Sequence, residues 1–141
     1  MKYLAHVAIV ALAAAAGHAQ AGDASAGQSV FAQRCATCHM IVSNSGQTIQ
    51  KGGKTGPNLF GVVGRKAGSD REFGNRYGDA LVSAGNAGLT WSEDQIAEYI
   101  EDPRAFLRSY LDDRSAQSRM SFRLNDDTAR EDVAAFLASV R

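Results

Sequence analysis

The chain has 141 residues, enough for one domain at the usual scale of about 150 residues and too few for a second sizeable core. Hydrophobic residues make up 45% and charged residues 21%, a balance that excludes a disordered tail and a membrane bundle and points to a soluble globular chain. Its 15 basic and 15 acidic side chains cancel, which argues against a nucleic-acid binder relying on net positive charge and confines any basic surface to a local patch.

Residues 1–21 read as a secretory leader. Lys2 gives a positive start, and Leu4 to Ala16 is apolar apart from His6 and too short to span a bilayer. Ala19-Gln20-Ala21 fits an A-x-A cleavage site, with a cut after Ala19 as the second choice. Export is therefore expected, with residues 22–141 as the mature domain. Cleavage after Ala21 leaves 120 residues, 14 basic against 15 acidic, and His39 as their only histidine.

In chain order, Asp23 caps a predicted helix that runs through Val30 and Phe31 to the cysteines. Gly53-Lys54-Thr55 resembles the end of a phosphate-binding loop, but Thr48 stands where that loop needs a glycine. Ten of the 14 glycines fall between residues 52 and 88, so the centre of the chain is expected to be a series of turns. Ser92 and Gln95 form a capping box for a second helix, with Trp91 and Ile96 as its hydrophobic staple, ending before Pro103. Asp102 as cap and Pro103 in the first turn open a short helix through Phe106 and Leu107. The last helix groups Ala129, Val133, Phe136, Leu137 and Val140 on one face, with acids early and Arg141 at its end. No stretch alternates as a strand, so the fold is expected to be all-α around an irregular centre that needs something to pack on.

Cys35-Ala36-Thr37-Cys38-His39 supplies it. In C-x-x-C-H, two thiols on one helical turn are spaced to join the two vinyl groups of a haem, and the next imidazole then lies under the iron. A disulfide-exchange site normally follows a strand of an α/β fold, and a zinc site needs more ligands than two Cys and one His. Opposite the histidine, Met40 adjoins His39 and cannot reach the far side, which leaves Met120 as the candidate second ligand. The alternatives are a lysine such as Lys54, or no ligand, with Met120 then an ordinary core filler. A thioether raises the potential, and a six-coordinate iron has no position for substrate, which describes an electron carrier.

On these residues the chain resembles the class I c-type cytochromes, closest to the long-loop subgroup of bacterial cytochromes c2. The likeness runs from Gly27 and Phe31 through C-A-T-C-H, Thr55-Gly56-Pro57-Asn58-Leu59, Gly64-Arg65-Lys66, Gly88-Leu89-Thr90-Trp91 and Met120-Ser121-Phe122 to Phe136-Leu137. It implies short helices and glycine-rich loops wrapped around one covalently bound haem c. It also implies that the Pro57 carbonyl fixes the His39 ring and that Arg65, Tyr77 and Trp91 meet the haem propionates. Tyr99 would lie near the methionine sulfur and Phe122 would shield the exposed haem edge. For Trp91 and Tyr99 the plain alternative is core packing, and for Arg65 a solvated turn. Gly27 is expected where the first and last helices cross, with Phe136 filling the contact. Two features depart from the shorter family pattern: 17 residues separate His39 from Pro57, and the segment Tyr110 to Arg119 is lengthened and lacks the usual proline.

The resemblance further implies a monomeric shuttle between a cytochrome bc1-type donor and a photosynthetic reaction centre or terminal oxidase. A haem peroxidase or gas-binding protein would need a distal acid-base group, and no second mature histidine is available. Arg34, Arg119, Arg123 and Lys54 are expected to form a basic docking face at the haem edge, despite the overall charge. Acids gather elsewhere, on the Ser92-capped helix and on the last helix, and Arg130 of that helix is expected to play no part in docking.

Overall fold

A computed structural model describes residues 21–141; the expected leader therefore lies outside the described residues apart from Ala21. Among the described residues five α-helices carry the fold: α1 (Ala24–Arg34), α2 (Asp79–Asn86), α3 (Glu93–Glu101), α4 (Pro103–Leu111) and α5 (Asp127–Ser139). Among the described residues no helix is long and apolar enough to cross a membrane.

The sequence signals that start these helices act as written. Asp23 accepts from the amides of Ser25 and Ala26 at 2.8 and 3.1 Å, holding two donors that the first turn of α1 leaves free. The capping box of α3 closes in both directions, with Ser92 and Gln95 each accepting from the other's backbone amide. Asp102 caps α4 through the Ala105 amide, and Pro103 occupies its first turn. At its far end α4 stops on Asp112, whose φ of 49° is left-handed, a conformation that aspartate tolerates better than most residues. Helix α5 ends at Ser139, so Val140 is its buried cap and Arg141 stands beyond the last turn, not within it.

The core is built where α1 crosses α5 and α3 packs on α5. Gly27 lies in that crossing as expected: a Cβ there would overlap the Asp132 backbone carbonyl, and the Phe31 and Phe136 rings meet edge to face at 5.7 Å. Two expectations need correction. The long loop after His39 holds a small antiparallel ladder, β1 (Ile41–Val42) with β2 (Thr48–Gln50), turned at Gly46 with φ of 84°. The strands are too short to show alternation. The glycine-rich centre also contains α2, which no side chain caps, and whose buried Ala84 and Gly85 let it sit close to Ala67.

Candidate functional site

The end of α1 delivers the cysteine motif. Cys35 caps the helix by donating its amide to Phe31, and the amides of Cys38 and His39 both turn back onto the Cys35 carbonyl at 3.1 and 2.9 Å. The tight turn presents Cys35 half-buried, Cys38 exposed and His39 next to them, all lining one cavity of about 800 Å³. Both thiols are free. Burial pushes the Cys35 thiol up to about 11, against the pull of Arg34, so it is not the low-pKa thiolate that disulfide exchange needs.

His39 is held from behind. Its Nδ1 donates to the Pro57 carbonyl at 2.9 Å, which leaves Nε2 as the free ring nitrogen. Burial lowers the imidazole below its ordinary value, outweighing the upward pull of that hydrogen bond, and so favours the neutral form that coordinates metals. Gly56 lies against the ring, and a Cβ there would stand 2.6 Å from Nδ1 and 2.7 Å from Nε2.

Met120 lines the same cavity from a different segment, half-buried. Its backbone is fixed by Ser118, whose Oγ donates to the Met120 carbonyl at 2.9 Å and accepts from the Met120 amide at 3.2 Å. The Tyr99 hydroxyl contacts the same Oγ at 3.4 Å, so α3 reaches the methionine segment through a serine. Lys54 is exposed and does not line the cavity, which sets it aside as an alternative ligand.

The remaining expected residues also converge. Tyr77, Trp91 and Tyr99 are each 8% exposed and line the cavity. Trp91 meets Tyr99 edge to face at 5.0 Å and Tyr77 meets Phe73 at 4.7 Å, so packing in the core and lining the site are one arrangement. Burial raises the phenol pKa of both tyrosines above its usual value and keeps them neutral donors. Arg65 is not a solvated turn residue: it donates to the carbonyls of Asn58 and Phe60 at 3.0 and 3.3 Å and pairs with Asp70 at 3.5 Å while lining the cavity. Phe122 is half-buried at the rim, with the Arg34 guanidinium 5.8 Å from its ring centre.

These residues fit a haem. The cavity brings together two free thiols on one turn, an imidazole fixed by its other nitrogen, a thioether from a second segment and a largely apolar wall that includes Leu59, Ile96 and Leu137.

Of the four expected basic residues, all exposed, Arg34 and Arg119 line the cavity and Arg123 and Lys54 do not. Arg123 is paired with Asp102 at 2.8 Å and Arg119 donates to a backbone carbonyl, so the two are held in place. Arg130 is no free surface charge: it is 7% exposed, donates to the Leu124 carbonyl at 2.9 Å and pairs with Asp127 and Glu101, tying α5 to α3. Sequence reasoning did not single out Ser118, Arg76, Phe73 or Asp70, which carry no motif. Asn58 stood inside a quoted motif without a role; it bridges Val42 in both directions and so anchors the hairpin to the histidine loop.

A family model described as cytochrome c matches residues 24–141. The chain is 56% identical over 119 residues to cytochrome c-551 of Roseobacter denitrificans, covering 84% of this chain and 81% of that one. It is 49% identical over 140 residues to cytochrome c2 of Rhodobacter capsulatus, covering 99% and 98%. The solved structure of cytochrome c2 from Rhodobacter capsulatus superposes with a TM-score of 0.79 at 50% identity, over 84% of this chain and 98% of that one. That of cytochrome c2 from Rhodobacter sphaeroides gives 0.80 at 43%, over 84% and 96%.

Proposed function

The chain belongs to the cytochrome c family, with the class I fold, and on that premise we propose that it is a periplasmic electron shuttle holding one haem c through Cys35, Cys38, His39 and Met120. Members of this family bind c-type haem covalently and carry electrons; the protein is an electron-transfer haem protein and not an enzyme. When bound, the haem supplies a one-electron Fe(III)/Fe(II) couple.

The chain's own residues prepare that couple. Cys35 and Cys38 would hold the haem by thioether links, and His39 Nε2 and the Met120 sulfur would bind its iron. Pro57 and Gly56 fix the imidazole from behind, and Ser118 fixes the methionine backbone. Arg65, Tyr77 and Trp91 supply a cation and donors for anionic groups placed against that wall. The apolar lining excludes water, so a change of charge is met by fixed dipoles and needs little rearrangement.

Electrons would arrive from a cytochrome bc1-type complex and leave to a photosynthetic reaction centre or terminal oxidase. Docking would use the face of Arg34, Arg119, Arg123 and Lys54 around Phe122, with the protein acting as a monomer and binding no nucleic acid. The A-x-A site after an apolar run supports export with residues 1–21 removed. One observation carries the reading: C-x-x-C-H at a helix end, its histidine bonded to the Pro57 carbonyl and facing a cavity that Met120 shares. Mass spectrometry of the denatured protein should retain one haem, and a potentiometric titration should follow a one-electron curve. Haem lost on denaturation would contradict the attachment.

A further inference from the structure

Two arginines join, in series, the segment carrying Met120 to the loop behind His39. Arg119 Nη1 donates to the backbone carbonyl of Arg76 at 2.9 Å, and Arg76 Nη1 donates to the backbone carbonyl of Lys54 at 2.9 Å. The Arg76 guanidinium is fixed further by its Nε bond to the Phe73 carbonyl at 3.3 Å and by its position 4.1 Å from the Phe73 ring centre. The Arg119 stem lies over Gly78, where a Cβ would come within 3.2 Å of its Cγ. Both arginines are exposed and line the cavity, so these bonds lie at its rim. Lys54 stands two residues before Gly56, which supports the His39 ring, and Arg119 stands immediately before Met120.

We infer that Arg76 and Arg119 form a latch across the rim, and that Arg76 is a positioning residue that sets how readily the Met120 sulfur yields to an outside ligand. The inference rests on reading Met120 as the iron ligand. Ser118 and Tyr99 hold the methionine segment through its own backbone. The arginine pair instead connects it to the histidine side, through donors that are charged and acceptors that are backbone carbonyls. Because the two bonds are in series, breaking either one releases the segment and breaking both adds nothing. Parallel supports would add. This separates a latch from two unrelated surface bonds.

The test is an imidazole titration of the ferric, haem-loaded protein, followed by its absorption spectrum. Met120→Ala sets the fully open value. Arg76→Leu and Arg119→Leu should each raise imidazole affinity about fivefold, which is about 1 kcal/mol. The double variant should remain at about fivefold. Arg76→Lys, which keeps a cation over Phe73 and a donor, should return close to the unmodified value. Arg71→Leu removes an exposed arginine of the same segment that takes no part in these bonds, and should change nothing. Amide exchange at Ser118 to Phe122 should accelerate in the latch variants while α1 and α5 keep their protection. If Arg76→Leu does not assemble, Arg119→Leu carries the same expectation. Single variants with unchanged affinity, an additive double variant near 25-fold, or an equal rise in Arg71→Leu would overturn the latch. A Met120→Ala protein that takes up imidazole no better than the unmodified chain would overturn the ligand reading and the latch with it. Strong uptake by Met120→Ala beside inert arginine variants would overturn the latch alone.

Discussion

Replacing Gly56 by Ala tests the support behind His39 in isolation. Gly56 does not adopt a positive φ, so alanine meets no backbone strain and the added methyl is the whole perturbation. That methyl would stand 2.6 Å from Nδ1 and 2.7 Å from Nε2, roughly 1 Å inside an ordinary contact. The ring has little freedom to retreat, because Nδ1 is bonded to the Pro57 carbonyl at 2.9 Å and its own backbone amide to Cys35 at 2.9 Å. Either the imidazole turns and gives up the Pro57 bond, a net loss of about 1 kcal/mol, or the 54–57 loop shifts at the usual cost of overpacking, about 1–3 kcal/mol. The two routes bracket a loss of about 1–3 kcal/mol, read as a lower urea midpoint of the haem-loaded protein at unchanged slope. The ferric spectrum and midpoint potential should change too, since the ring is the expected ligand. Gly46→Ala is the contrast: its φ of 84° strains any side chain, but nothing lies within 4 Å, so it should cost about 1 kcal/mol and leave the spectrum untouched. A Gly56→Ala protein within about 0.5 kcal/mol of the original, with the same spectrum, would refute the reasoning.

Replacing Cys35 and Cys38 together by Ser should abolish covalent haem and, with a cavity of about 800 Å³ left without its filling, cooperative unfolding as followed by circular dichroism. Arg130→Glu should destabilise the fold and not merely alter docking, because it places a carboxylate against the Leu124 carbonyl beside Asp127 and Glu101; its thermal midpoint should fall well below that of the original. The Ala105 amide, and after it Arg123, hold the Asp102 carboxyl below its ordinary value, so its contribution is complete above about pH 4 and disappears as pH falls through the lowered value. Urea unfolding between about pH 5 and pH 2 should therefore cost the original protein more stability than Asp102→Asn. Association with an acceptor should slow as salt rises through about 0.1 M, and Arg34→Glu, at the Phe122 ring, should slow it further; a stopped-flow rate indifferent to both would remove the docking face.

Much of the site can be read from the sequence because its chemistry is local. C-x-x-C-H fits within one turn, and caps such as Asp23, Ser92 and Asp102 act over three residues, so their spacing carries the geometry directly. The Gly27 crossing was legible for another reason, since a glycine inside an otherwise good helix asks for a close neighbour. What escaped is long-range or weakly patterned. Helix α2 has no side-chain cap and is framed by glycines, and strands of two and three residues give no period. Arg76, Ser118 and Asp70 act by bonds to backbone or to partners that only the folded chain brings near. The burial of Arg130 is not legible either, because its helical spacing does not reveal that the chain leading into α5 leaves the Leu124 carbonyl facing its guanidinium.

The central claim, that His39 and Met120 occupy both faces of one covalently held haem iron, is tested most directly by carbon monoxide. The spectrum of the reduced protein should be indifferent to the gas, while reduced Met120→Ala should keep its covalent haem and shift on exposure to it. A reduced original protein that binds carbon monoxide as readily as Met120→Ala would show an open iron and contradict the account.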